Sequence, residues 1–175
     1  SWKSSGPIDF EFTQGTASAQ PSYIASSSVI NNMPAIDCDG NDILSLDFDA
    51  RLNTAEMTFF AVAWIDSDDN NIPGLVESRS GSPVTRSGFN IYGRMDGSTQ
   101  RWQLWGGANT TWIKVQTAQD SIVPGVADII TGKIYGGDGA GSTANYEIYD
   151  NGALAESKTG AFYKSTADSY QVGRV

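Results

Sequence analysis

The sequence predicts an all-β protein built as a two-sheet antiparallel β-sandwich, a jelly roll. Three observations point there. Helix-period patterns are scarce, whereas short runs of alternating apolar and polar residues recur along the chain. Clusters of Gly, Asn, Asp and Ser separate those runs at short intervals. The aromatic residues, five Trp, seven Tyr and seven Phe, fall mostly inside the runs, where a pleated surface favours them.

Taken in order, the first strand is expected at 7–12 (PIDFEF), followed by a Ser-, Ala- and Gln-rich stretch over 13–35 that is the least regular part of the chain. The segment 43–48 alternates Ile43, Ser45 and Asp47 against Leu44, Leu46 and Phe48, the pattern of a strand with one face buried. The run 56–65 is apolar on both faces, with Met57, Phe59, Ala61, Ala63 and Ile65 on one and Phe60, Val62 and Trp64 on the other. It reads as a central strand covered on both sides. Further strands are expected at 73–79, 88–95, 101–106, 111–117, 127–135, 144–150, 153–158 and 169–174. Asn151-Gly152, between two of them, is the strongest hairpin signal, because both residues tolerate positive φ. The stretch 136–143 (GGDGAGST) lacks the Gly-Lys-Ser/Thr ending of a phosphate loop and precedes a strand, so it reads as a hairpin loop. The chain divides into an irregular N-terminal arm with the first strand, 1–35, and a sandwich over 36–175, with no repeat and no linker.

Composition excludes several classes of function. With 175 residues the chain suits one domain with a real core. The longest clean apolar run, 59–65, is far below the ~20 residues of a membrane-spanning helix, so membrane insertion is not expected. The net charge of −9, from 11 basic and 20 acidic residues with no basic stripe, speaks against nucleic acid. No signal-peptide pattern opens the chain and it does not start with Met, so it is expected to be processed or a piece of something longer. Cys38 is alone, which rules out an intrachain disulfide; it reads as a small buried hydrophobe. There is no His, which removes Ser-His-Asp and Cys-His schemes and His-held metals.

The ordered set CDGNDILSLDF, MTFFAVAWID, PGLVESRSG, GFNIYGR, RWQLWGGANTTWIKV, ITGKIYGGDG, YEIYDNGALAES and YQVGRV resembles the laminin-G-like branch of the concanavalin A-like lectin/glucanase superfamily. The resemblance covers about 36–175 and implies a concanavalin A-like sandwich; it is unspecific for function. Such domains continue past the Val-Gly-Arg strand into one more strand. The resemblance therefore implies that the strand near 7–12, a longer native chain or a neighbouring chain fills that place. It also raises the expectation of one calcium ion at the sandwich rim.

Glucanases of this superfamily share a Glu-x-Asp-x-x-Glu strand, which sets carboxylates side by side as retaining hydrolysis requires. None of Glu11, Glu56, Glu77, Glu147 or Glu156 heads that pattern. Asp47 and Asp49 share a face, but alternation with Leu46 and Phe48 explains them as the solvated side of a strand. On this reading the chain is not an enzyme. Two acidic loops have the spacing of hard oxygens that Ca²⁺ prefers: Asp37, Asp39, Asn41 and Asp42, and the favoured Asp66, Asp68, Asp69 and Asn70. A solvated turn explains either equally simply. Trp102, Trp105 and Trp112 surround a loop; Trp102 shares a face with Leu104, whereas Trp105 and Trp112 point the other way and form a candidate glycan platform with Asn109, itself in an Asn-Thr-Thr glycosylation sequon.

The function expected from sequence is a recognition module of a larger extracellular or surface protein, contacting glycan or protein through rim loops. The alternative is a structural subunit of an assembly, such as a virion surface protein, a fibre or an extracellular filament, meeting copies of itself through the N-terminal arm and open sheet edges; a glycan-active enzyme is the second and least favoured alternative. These readings place the chain outside the cell or on the surface of a cell or virion.

Overall fold

The computed structural model describes residues 1–6, 8–66, 73–80, 85–96 and 99–173. Two antiparallel sheets form the sandwich. The first has six strands: β5 (Leu44–Leu46), β7 (Gly74–Ser80), β8 (Ser87–Asp96), β9 (Thr99–Ala108), β10 (Thr111–Gln116) and β14 (Tyr170–Val172). They run in the order β10-β9-β8-β7-β14-β5. The second has four: β6 (Met57–Ala63), β11 (Asp128–Tyr135), β12 (Ala140–Asp150) and β13 (Ala153–Tyr163), in the order β13-β12-β11-β6. Before them, β1 (Trp2–Lys3) pairs with β2 (Glu11–Phe12), and β3 (Ser22–Ser27) pairs with β4 (Met33–Asp37). Two single-turn 3₁₀ helices are the only helical pieces among the described residues.

Alternation assigns the faces. Phe89, Ile91, Met95, Trp102, Leu104 and Val115 of the first sheet meet Ile130, Ile134, Tyr146, Ile148 and Phe162 of the second in one buried cluster. Small residues let the sheets close. A Cβ on Gly106 would lie 2.3 Å from Tyr146 Cε1, and one on Gly132 would lie 2.9 Å from Ile91 Cδ1. Trp102 is fully buried and its indole N–H donates to Asp128 Oδ2 at 2.9 Å, which satisfies a buried carboxylate and ties the first sheet to the second. The hairpin between β12 and β13 turns at Asn151 (φ 50°) and Gly152 (φ 84°), both left-handed as expected. The 136–143 stretch is a turn that runs into β12, held by the Asp138 carboxylate, which accepts the backbone N–H of Ala140 and Ser142.

The run 56–65 is not a central strand. Its strand β6 is the edge of the four-stranded sheet and pairs only with β11 among the described residues. Met57, Phe59, Ala61 and Ala63 face the core, but Phe60 is 76% exposed and Val62 58%. Two apolar faces imply two covers only if a second layer exists, and the outer side of this sheet has none among the described residues.

The N-terminal segment contains more regular structure than its composition suggests, in the β3–β4 hairpin. Phe12 is buried within the core cluster and Thr13 bridges Ser45. The segment therefore sits at the β5 edge of the six-stranded sheet. Among the described residues, no helix is long and apolar enough to cross a membrane.

Candidate functional site

The site lies on the face of the six-stranded sheet that points away from the core. Residues alternate across a strand, so every core-facing position on β8 and β9 leaves an outward one beside it. Register then assembles the outward ones from different strands. Trp105 pairs with Lys114 on one side and Asn90 on the other, and Asn90 pairs with Glu77. Gln103 lies between Gln116 and Tyr92, and Arg101 lies opposite Arg94. Trp112 is paired with Gly107, two residues before Lys114 on the same face.

This face is polar yet buried. Gln103 is 1% exposed, Glu77 5% and Asn90 6%. Hydrogen bonds join its members. Tyr92 donates its hydroxyl to Gln103 Oε1 at 2.6 Å, the Trp105 indole N–H donates to the same oxygen at 3.0 Å, and Gln103 Nε2 donates to Gln116 Oε1 at 3.1 Å. The rings follow one another: Tyr92 to Trp105 at 5.8 Å and Trp105 to Trp112 at 6.0 Å between centroids. The Lys114 ammonium lies 5.9 Å from the Trp105 ring centroid. Arg79 Nε donates to Glu77 Oε2 at 2.7 Å, so the buried carboxylate of this face among the described residues is charge-paired. Asn90 Oδ1 is buried without a hydrogen-bond partner, as is Arg101 Nε. A buried amide oxygen without a donor is costly and rare.

The structure brings Trp105 and Trp112 together, both half-buried on the outward face, and puts Trp102 in the core. Asn109 is elsewhere: it sits exposed at the tip of the β9–β10 turn with φ 65°, bridged to Arg86. Of the favoured acidic loop, Asp68, Asp69 and Asn70 lie outside the described residues, and Asp66 accepts the Trp64 indole N–H at 3.0 Å. In the other loop, Asp42 Oδ2 is taken by the backbone N–H of Asp39 at 2.9 Å, and Asn41 Nδ2 donates to Ser18. No cluster of three or more acidic or Cys side chains among the described residues is arranged to hold a metal ion. Asp49 is held by Arg51, whose hydrogen bonds keep its carboxyl below the usual range, while Asp47 is exposed. Sequence reasoning missed Glu77, Asn90, Tyr92, Gln103 and Arg101. The available signal was period-two spacing, of Asn90 and Tyr92 within GFNIYGR and of Arg101 and Gln103 with Trp105 within RWQLWG; Glu77, in PGLVESRSG, joins them only through register.

No protein-family model matches the chain, and no curated protein matches it. Among solved structures, the fold is similar to the crystal structure of the enzymatically active domain of tailspike protein 2 of bacteriophage CBA120. The TM-score is 0.56 at 13% sequence identity, and the match covers 86% of this chain but 24% of that one. The likeness is one of fold, and this chain spans about a quarter of that chain's length. It nevertheless corrects the expectation that the chain is not an enzyme. That expectation rested on a missing single-strand motif, and the similar structure is described as enzymatically active. A motif search along one strand does not register groups that sheet register collects from four.

Proposed function

We propose that the outward face of the six-stranded sheet is the glycan-binding cleft of a carbohydrate-active domain, of the kind displayed on a virion surface. One observation carries the reading: a continuous strip, Trp112 to Trp105 to Tyr92, runs beside a buried, unpartnered acceptor at Asn90 Oδ1. Sugar rings stack on aromatic faces through their C–H edges, while their hydroxyls donate to fixed acceptors. Trp105 and Trp112, both half-buried, provide the ring faces open to sugar units, while Tyr92, 6% exposed, packs beside Trp105 and Asn90 lies beneath them. The virion setting is supported by the likeness to part of a phage tailspike.

Glu77 is the carboxylate in position to act on a glycosidic bond placed over Asn90, since register sets the two side by side. Tryptophan fluorescence titrated with a panel of cell-surface oligosaccharides tests the binding. Trp105→Ala is expected to weaken the best ligand at least tenfold, and unchanged affinity would remove the cleft from consideration. Release of reducing ends tests the chemistry. Glu77→Gln is expected to lower turnover by about 10²–10⁴-fold; full activity in that variant would displace Glu77 from the role.

A further inference from the structure

The charge of the cleft is opposite to that of the protein. The chain carries −9 overall, from 11 basic and 20 acidic residues. Yet four cationic side chains, Arg79, Arg94, Arg101 and Lys114, occupy outward positions on the six-stranded sheet. Facing them on that sheet is Glu77, which Arg79 pairs. Asp47 lies exposed just beyond β5, at the far end of the sheet order. Glu156, from β13 in the other sheet, accepts the Gln116 backbone N–H at 2.8 Å and pairs with Lys158 at 2.8 Å. Two of the four cations have no carboxylate partner among the described residues. The Lys114 ammonium lies over the Trp105 ring, and Arg101 keeps a buried Nε without an acceptor.

Arg101 also opens onto a groove of about 360 Å³, whose walls include Gln116, Thr117 and Glu156. That volume is within the range of small-ligand sites. A guanidinium that is partly desolvated and unpaired calls for a planar anion, and its fork of donors matches a carboxylate. Lys114 stands directly across from Trp105, whereas Arg101 lies four residues along the same face, about 13 Å at strand spacing. A glycan stacked along the aromatic strip would meet positive charge at both places.

We infer that the ligand of this cleft is an acidic glycan bearing carboxylates on more than one sugar, a uronic-acid polymer in chemical class, with Lys114 and Arg101 as its specificity-determining contacts. The inference rests on the glycan reading of the same face. The test measures binding of uronic-acid tetrasaccharides, their carboxyl-reduced neutral forms and a sulfated neutral tetrasaccharide, in EDTA, by calorimetry. The uronic acids are expected to bind at least tenfold tighter than the reduced forms. Arg101→Ala is expected to erase that difference, and Lys114→Ala to halve it or more. Lys114 lies over a ring without a carboxylate partner among the described residues, so its variant keeps the test open if Arg101→Ala does not fold. Raising salt from low to high is expected to weaken the acidic ligands alone. Neutral forms that bind equally well, with the Trp105→Ala loss retained, would overturn the acidic inference and leave the glycan cleft standing. Sulfated ligands that bind as tightly would overturn the carboxylate assignment. No Trp105-dependent binding to any probe would overturn both.

Discussion

At the scale of the residue, the strongest constraints are polar groups that the sandwich has buried. Trp102 and Asp128 show the principle, because the indole N–H and the carboxylate satisfy one another inside the core. Trp102→Phe keeps the ring but leaves Asp128 with Asn151 Nδ2 as its remaining side-chain donor. Denaturant unfolding should show a loss of about 1–3 kcal/mol, and an unchanged midpoint would mean that water replaces the indole. Cys38, expected as a buried hydrophobe, is only half-buried. Burial above all, and then Asp42, Asp37 and Asp39, raise its thiol pKa to about 11. The thiolate is the nucleophile, so iodoacetamide should label the native protein slowly at pH 8 and faster only as the pH approaches 11. Rapid labelling at pH 8 would show that burial and the neighbouring carboxylates do not raise the thiol pKa.

At the scale of the element, sheet pairing and sheet packing make separate demands. Gly106 lies where Tyr146 presses on β9, so Gly106→Ala forces a methyl group into space the ring already occupies. Overpacking of this kind should cost about 1–3 kcal/mol by chemical unfolding; a neutral result would require the Tyr146 ring to swing aside freely. The β6 edge shows the opposite condition. It spans seven residues, Met57–Ala63, without a charge or a proline, and Phe60 and Val62 stand out into solvent beside exposed Ile129. Uncharged apolar edges invite pairing with other strands. Phe60→Lys should leave stability within about 0.5 kcal/mol and reduce self-association in light scattering; a large drop in stability would show that the face is covered after all.

At the scale of the whole molecule, one core joins the two main sheets and the N-terminal segment. Phe12 belongs to that core although it precedes the sandwich strands, and Thr13 continues the ladder at Ser45. Phe12→Ala should cost about 3 kcal/mol and keep a single unfolding transition. A separate early transition would show that the N-terminal segment unfolds on its own. The same construction gives the molecule two unlike outer surfaces: a polar, aromatic and locally cationic face on the six-stranded sheet, and an apolar edge on the four-stranded one. The first suits a ligand and the second suits another strand.

Most of the strands were legible in the chain itself. Period-two alternation marked β5, β7 to β11 and β14 close to their observed bounds, and Asn151-Gly152 marked its hairpin, because these signals depend only on neighbours in sequence; β12 begins four residues earlier and β13 ends five residues later than expected. The outward direction of Trp105 and Trp112 followed from the same alternation. The β3–β4 hairpin was not legible, because its Ser- and Ala-rich strands lack alternation. Nor was the exposed face of β6, since apolar side chains on both faces do not say which layers exist. The candidate site was legible least of all. Glu77, Asn90, Trp105 and Lys114 come from four strands and meet only through register. Sequence by itself determined the local periodicities, and with them the fold class and the face of each residue. Tertiary structure alone decided which faces were covered and which side chains became neighbours, because burial and cross-strand pairing are properties of assembled sheets.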